Sequence, residues 1–184
     1  LERIAPGRQQ RHASGWYVRA ILLNLVQLGI VLIGGVTWTV WLQGASAFSI
    51  AALHPVVQGF VCWFVGTFFF YWWHRAQHRW RWLWVQHRFH HQDRFLNVTT
   101  VHRYHFSEEI FRVFVIGVPM AALFEFKPPQ IAWLWTTFLL WGYWIHLNVK
   151  VGLGPLGRWI SGPQFHRYHH TPEYGNVNFA AFFP

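Results

Sequence analysis

The sequence predicts an all-α integral membrane fold of about four membrane-spanning helices, and three observations carry that reading. Residues 20–74 contain no Asp, Glu, Lys or Arg, far more than the ~20 apolar residues needed to cross a bilayer. Only 11% of the 184 residues are charged while 53% are hydrophobic and 21% aromatic; a soluble domain carries about 25% charge, so a disordered chain and an ordinary water-exposed surface are both excluded. Finally, the basic residues fall on alternate connections between the apolar segments, and 11 of the 13 His lie between residues 74 and 170.

The elements follow in order. A first span covers about residues 20–42 and a second about 56–73, with Gln43, Gly44, Ser46, His54 and Pro55 supplying the turn. A second apolar block, broken by Glu125, Lys127, Pro128 and Pro129, gives spans of about 113–124 and 130–148; the former is short, holds Pro119 and reads as tilted or re-entrant. His-rich segments 74–112 and 149–184 form a cap on one side, and residues 1–184 read as a single membrane domain.

Charge sets the orientation. Arg3, Arg8, Arg11 and Arg19 precede the first span; Arg75, Arg79, Arg81, Arg88, Arg94, Arg103 and Arg112 fill the middle connection; Lys150, Arg158 and Arg167 follow the last span. With four spans, all three basic segments and both termini face the cytoplasm of a bacterial inner membrane or the endoplasmic reticulum. A basic face beside anionic headgroups accounts for the net charge of +9 without nucleic acid, for which no recognition motif is present. Trp and Tyr gather at span ends, as in Trp16-Tyr17, Tyr71-Trp72-Trp73 and Trp141-Tyr143-Trp144, where aromatic belts form.

The lone Cys62 excludes a disulfide or a thiolate metal site within one chain, so a metal here takes nitrogen or oxygen ligands. Candidates are His74-x3-His78, His87-x2-His90-His91, His102-x2-His105, His146 and His166-x2-His169-His170. On a helix, residues four apart differ by about 40° and can grip one metal. In a His-x2-His-His triplet the two later imidazoles diverge by about 100°, so a triplet can serve two neighbouring metals. The pair, the two triplets and His146 suffice for two metals. A straight helix would hold His78 and His87 about 13 Å apart, so a break is expected between Arg79 and Gln86, with Trp80 to Trp84 along the membrane interface. His12 and His54 read as ordinary hydrogen-bonded residues. His102 and His105 read as ligands or as supports behind the ligands, His105 ahead of His102. Imidazole suits zinc, copper, iron and nickel alike; the absence of His-Glu-x2-His argues against a zinc protease.

The segments HRAQH (74–78), HRFHH (87–91), NVTTVHRYHFSEE (97–109), His146 with Asn148, and GPQFHRYHH (162–170) resemble the fatty acid hydroxylase/sterol desaturase superfamily of integral-membrane, histidine-box di-iron enzymes. The resemblance covers residues from about 55 to the end. It implies an O2-dependent non-haem di-iron oxidoreductase that hydroxylates or desaturates a C–H bond of a membrane lipid, such as a sterol or fatty acyl lipid. The implied metal ligands are His74, His78, His87, His90, His91, His146, His166, His169 and His170. His102, His105, Glu108 and Asn178 are further ligands or supports. Two Fe ions are the implied cofactor, with Zn able to misload the site, and O2 is the co-substrate. Electrons come from a separate donor of ferredoxin or cytochrome b5 type, which Arg75, Arg79 and Arg167 would dock if they do not hold lipid phosphates. Members also carry an Asp- and Gly-containing tail after the last box, which is expected beyond Pro184. Competing readings are a dizinc membrane hydrolase and a non-catalytic haem- or metal-binding membrane protein.

Asp93, Glu108, Glu109 and Glu173 are the acids near the boxes. They fix imidazole tautomers or pair with Arg88, Arg94, Arg103 and Arg112. Gly34, Gly35, Gly59 and Gly66 either leave room for a lipid chain between the spans or allow close helix packing.

Overall fold

The computed structural model describes residues 2–9, 15–93, 96–125 and 128–184. Two helices there are long and apolar enough to cross a membrane: α1 (Trp16–Trp41) and α2 (Pro55–Arg79). Helix α1 starts after Gly15, whose φ of 76° ends the preceding chain in the left-handed region, and buries only Ala20 and Gln27. Its remaining surface presents Ile21, Leu22, Leu25, Ile33 and Val36 outward, which suits a hydrocarbon surrounding rather than water. Helix α2 is opened by Pro55 at its first position and by the ring of His54, which accepts the Val56 N–H (3.4 Å). His54 is thus an exposed cap; His12 lies outside the described residues.

The break expected after His78 sits at one residue. Trp80 is extended (φ −103°, ψ 121°), and α3 (Arg81–His91) turns back beside α2. The His78 and His87 ring centres are consequently 5.1 Å apart. A turn of 3₁₀ helix (Val98–His102) follows, capped by Asn97 and Thr100 in a reciprocal pair. The third expected span is a composite: α4 (Phe106–Arg112), a π turn (Val113–Gly117) and α5 (Val118–Leu123). Pro119 explains the π turn, because its ring would meet the carbonyl of Val115 in a regular helix and it has no N–H to donate. Then come α6 (Pro128–His146), a second 3₁₀ turn (Gly154–Arg158) and α7 (Pro163–His169).

The glycines resolve in favour of packing at three of four positions. A Cβ on Gly59 would lie 2.8 Å from the Trp133 ring, one on Gly66 3.2 Å from Leu134 and Phe138, and one on Gly34 would overlap the Val113 side chain. Gly35 instead lines a cavity. Cys62, Met120, Ala121 and Phe124 form the buried core between α2 and α5. At that end the α1–α2 connection is tied to the end of α5, Ala47 N–H to Ala122 O (2.8 Å) and Phe48 N–H to Leu123 O (2.9 Å). The histidines gather at the opposite end, where α2, α3, α6 and α7 converge. The N-terminal segment crosses there too: Gly7 N–H donates to Asn148 O (2.8 Å), and the Glu2 carboxylate accepts the N–H groups of Val98 (2.9 Å) and Asn148 (2.6 Å).

Candidate metal centre

Nine imidazoles fall into two adjoining groups: His74, His78, His87, His91 and His169 in one, His90, His146, His166 and His170 in the other, the ligand atoms of each within 4.8 Å of one another. Helical geometry dictates the sorting. The pairs four apart stay together, 74 with 78, 87 with 91, 166 with 170. His90 and His169, three residues after the start of their triplets, swing about 60° the other way and join the opposite group. The groups touch where His91 and His170 stack (4.4 Å, 18°).

Five rings are held by the Nδ1 side. His74 donates to Phe179 O (2.8 Å), His90 to Thr100 O (3.1 Å), His146 to Gly142 O (2.6 Å), His169 to Val177 O (2.7 Å) and His87 to Glu108 Oε1 (3.0 Å). A carbonyl or carboxylate only accepts, so each Nδ1 carries the proton and each Nε2 a lone pair. Those lone pairs oppose one another: His74 and His169 at 2.9 Å, His90 and His146 at 3.1 Å. No proton remains to bridge them. The Nε2 atoms of His146 and His166 (3.0 Å), His166 and His170 (3.1 Å) and His87 and His91 (3.2 Å) lie equally close. Metal–nitrogen bonds of about 2.1 Å place neighbouring donors about 3.0 to 3.4 Å apart, so the residues present fit a pair of cations.

Electrostatics agrees. Burial first, then the neighbouring imidazoles, holds His90, His91, His166 and His170 well below the ordinary histidine range. Burial lowers His169 to about 3 although its bond to Val177 O pulls the other way. Neutral rings are the ligand form.

The supporting residues are specific. Thr100 is fully buried; its hydroxyl donates to Asp93 (2.7 Å), which also pairs with Arg103 (2.8 Å), and this fixes the carbonyl that receives His90. Asn178 joins neither group. Its left-handed backbone (φ 59°) and its bond to Phe165 O (3.1 Å) turn the carbonyls of Val177 and Phe179 toward His169 and His74. Glu108 supports His87, while Glu109 pairs with Arg112 and Tyr104. Glu173 is exposed.

His105, ranked ahead of His102, caps α4 by accepting the Ser107 N–H (3.3 Å), because it stands one residue before the helix starts. His102 is the buried one, bonded through Nε2 to Tyr143 Oη (2.7 Å), and it also joins neither group. Arg167 is committed to the carbonyls of Leu147 (3.1 Å) and Val149 (3.3 Å), whereas Arg75 and Arg79 are exposed. Sequence reasoning missed Gln27, Gln77, Thr100, Tyr104 and Tyr143. Only the Asn97-x2-Thr100 cap had a readable signal.

A chamber beside the groups is lined by Gln77, His102, Tyr104, Glu108, Phe138 and several of the imidazoles. Within it Gln77 Nε2, Glu108 Oε2 and Trp73 Nε1 are buried without a partner among the described residues, an arrangement expected of a site that receives a ligand.

The class defined by this geometry is a helical protein with a two-centre histidine site at one end of an apolar bundle. Residues 59–184 match the fatty acid hydroxylase family, and the chain belongs to that family. It is 32% identical over 126 residues to an ornithine lipid hydroxylase of Rhizobium tropici, covering 67% of this chain and 37% of that protein. It is 33% identical over 102 residues to an alkylglycerol monooxygenase of Danio rerio, covering 55% and 22%, and 32% identical over 109 residues to the human one, covering 58% and 24%. The chain thus spans well under half the length of these relatives. No solved structure matches it.

Proposed function

We propose that this chain carries the active site of an O2-dependent, di-iron lipid hydroxylase of the membrane, with the nine clustered histidines as ligands. The observation that carries it is the set of opposed Nε2 lone pairs at 2.9 and 3.1 Å, which only a cation between them relieves. Membership in a hydroxylase family and relatives named for acting on ornithine lipids and alkylglycerols support lipid oxidation over hydrolysis.

Two irons held there would supply reductive O2 activation: one oxygen atom enters a C–H bond, and the other leaves as water with two electrons and two protons from outside. The chain's own residues do the remaining work. Backbone carbonyls of Thr100, Gly142, Val177 and Phe179 and the Glu108 carboxylate hold the Nδ1 sides of five rings, and burial keeps water out. Four spans with the histidines on the cytoplasmic side would let a lipid reach the chamber without entering water. The exposed Arg75, Arg79, Arg81 and Arg88 then offer an acidic ferredoxin or cytochrome b5 type donor a docking face.

The test is metal content by elemental mass spectrometry with an optical spectrum, followed by turnover of alkyl lipids under O2 with a reductant. About two irons per chain, no haem band and hydroxylated lipid are expected. Turnover that survives without O2 and reductant would replace this reading with a dizinc hydrolase.

A further inference from the structure

The chamber beside the histidines is not the only cavity. A second one, almost wholly apolar, runs between α1, the π turn, α5 and α6, lined by Gly35, Trp38, Val113, Gly117 and Leu134 among others. The two share four lining residues: Phe70, Arg112, Trp135 and Phe138. Three are apolar, and the fourth is the sole Lys or Arg lining either cavity.

We propose that Arg112, at the neck between these cavities, binds the neutral oxygen of a lipid's ester, ether or amide linkage, and so sets which carbon stands before the histidine site. This rests on the lipid-oxidation reading above. Arg112 is posed for the task. Its Nη2 donates to Tyr104 Oη (2.8 Å) and to Glu109 Oε2, and its Nε to Glu109 Oε1 (3.3 Å). Glu109 is fully buried and also accepts the Tyr104 hydroxyl (2.8 Å). The guanidinium plane is therefore locked. Nη1, carrying two of the five N–H donors, has no partner among the described residues, and the side chain keeps 26% of its surface accessible. The π turn begins at the next residue; such turns concentrate at functional sites.

The charge balance chooses the ligand. Glu109 already cancels Arg112, and a second carboxylate would meet Glu109 at close range. A neutral carbonyl or ether oxygen gains a charge-assisted hydrogen bond without that repulsion. The hydrocarbon lies in the apolar cavity, and the oxygen held at the neck fixes which carbon enters the chamber lined by His74, His87 and His90.

The experiment is equilibrium binding of three labelled probes, methyl hexadecanoate, hexadecanoate and hexadecane, to the metal-loaded full chain in nanodiscs under argon. Wild type is expected to bind the ester about tenfold tighter than the alkane, and tighter than the free acid. Arg112→Met should bring ester and alkane within about twofold, and Arg112→Lys should restore part of the preference. Tyr104→Phe, which loosens the guanidinium without removing charge, should weaken the preference partway and covers the case in which Arg112→Met does not fold. Equal binding of ester and alkane by wild type, tighter binding of the free acid, or an unchanged preference in Arg112→Met or in Tyr104→Phe overturns the proposal. Admitting O2 and reductant separates the two readings. Preference without oxidation sinks the hydroxylase but leaves the neck, whereas oxidation without preference sinks the neck alone.

Discussion

Each histidine triplet divides its rings between the two groups, so single residues have separable effects. His90 belongs with His146, His166 and His170, and His169 with His74, His78, His87 and His91. His90→Ala and His169→Ala should each lower bound metal toward one per chain and cut turnover at least 100-fold. Helical content should stay unchanged, because ring removal there breaks no helix ladder. Metal analysis with circular dichroism checks this; wild-type metal and activity in either variant would remove that histidine from the ligand set. His102 behaves differently. Burial holds it at about 4, with a smaller push from Arg112, against an ordinary 6.5. The unfolded chain therefore binds the extra proton first, so its contribution is complete above about pH 6.5 and is lost as pH falls toward 4. His102→Gln should flatten the fall in melting temperature across that window, and an unchanged slope would show that His102 does not titrate there. The ligand candidates were legible because imidazoles four apart must share a helix face. The carbonyls that orient them were not, since any residue type supplies a carbonyl and only the folded path of residues 177–179 brings them near.

At the scale of elements, the sequence already carried α1, α2 and the break at Trp80, the last because two ligand groups on one straight rod cannot meet. The π turn and the subdivision of the third apolar segment were illegible, since they answer a local clash at Pro119 and the approach of Gly34 to Val113. Packing of α2 on α6 gives a direct test. Gly59→Ala would drive a methyl to 2.8 Å from Trp133, whose ring is also held by Phe60 (5.4 Å between centres). A large indole held edge-on by Phe60 yields less readily than a flexible side chain, and a cost of about 1–3 kcal/mol is expected. Gly66→Ala, meeting Leu134 and Phe138 at 3.2 Å, should cost less, because those side chains shift more easily. Denaturant unfolding in mixed micelles measures both. Equal stability of Gly59→Ala and wild type would mean that α2 and α6 do not pack this closely.

For the whole molecule, orientation follows from which end meets which solvent. The α1–α2 connection and the end of α5 lie together, remote from the convergence of α2, α3, α6 and α7, and between them α1 and α2 expose rows of large apolar side chains. Arg and Lys crowd the histidine end, where Arg75, Arg79, Arg81 and Arg88 are exposed, whereas the opposite connections among residues 43–54 and 125–129 contain one Lys and no Arg. Retaining the basic end on the cytoplasmic side during insertion is the lower-cost arrangement. Cysteine labelling tests it cleanly, because the single native thiol, Cys62, is fully buried. Ser49→Cys and Glu173→Cys place one exposed thiol at each end. In intact cells a membrane-impermeant maleimide should modify the cysteine at 49 and spare that at 173, and lysis should expose both. Labelling of both in intact cells would mean the bundle does not separate them across a bilayer, and the reverse pattern would put the histidine end outside, away from any cytoplasmic electron donor.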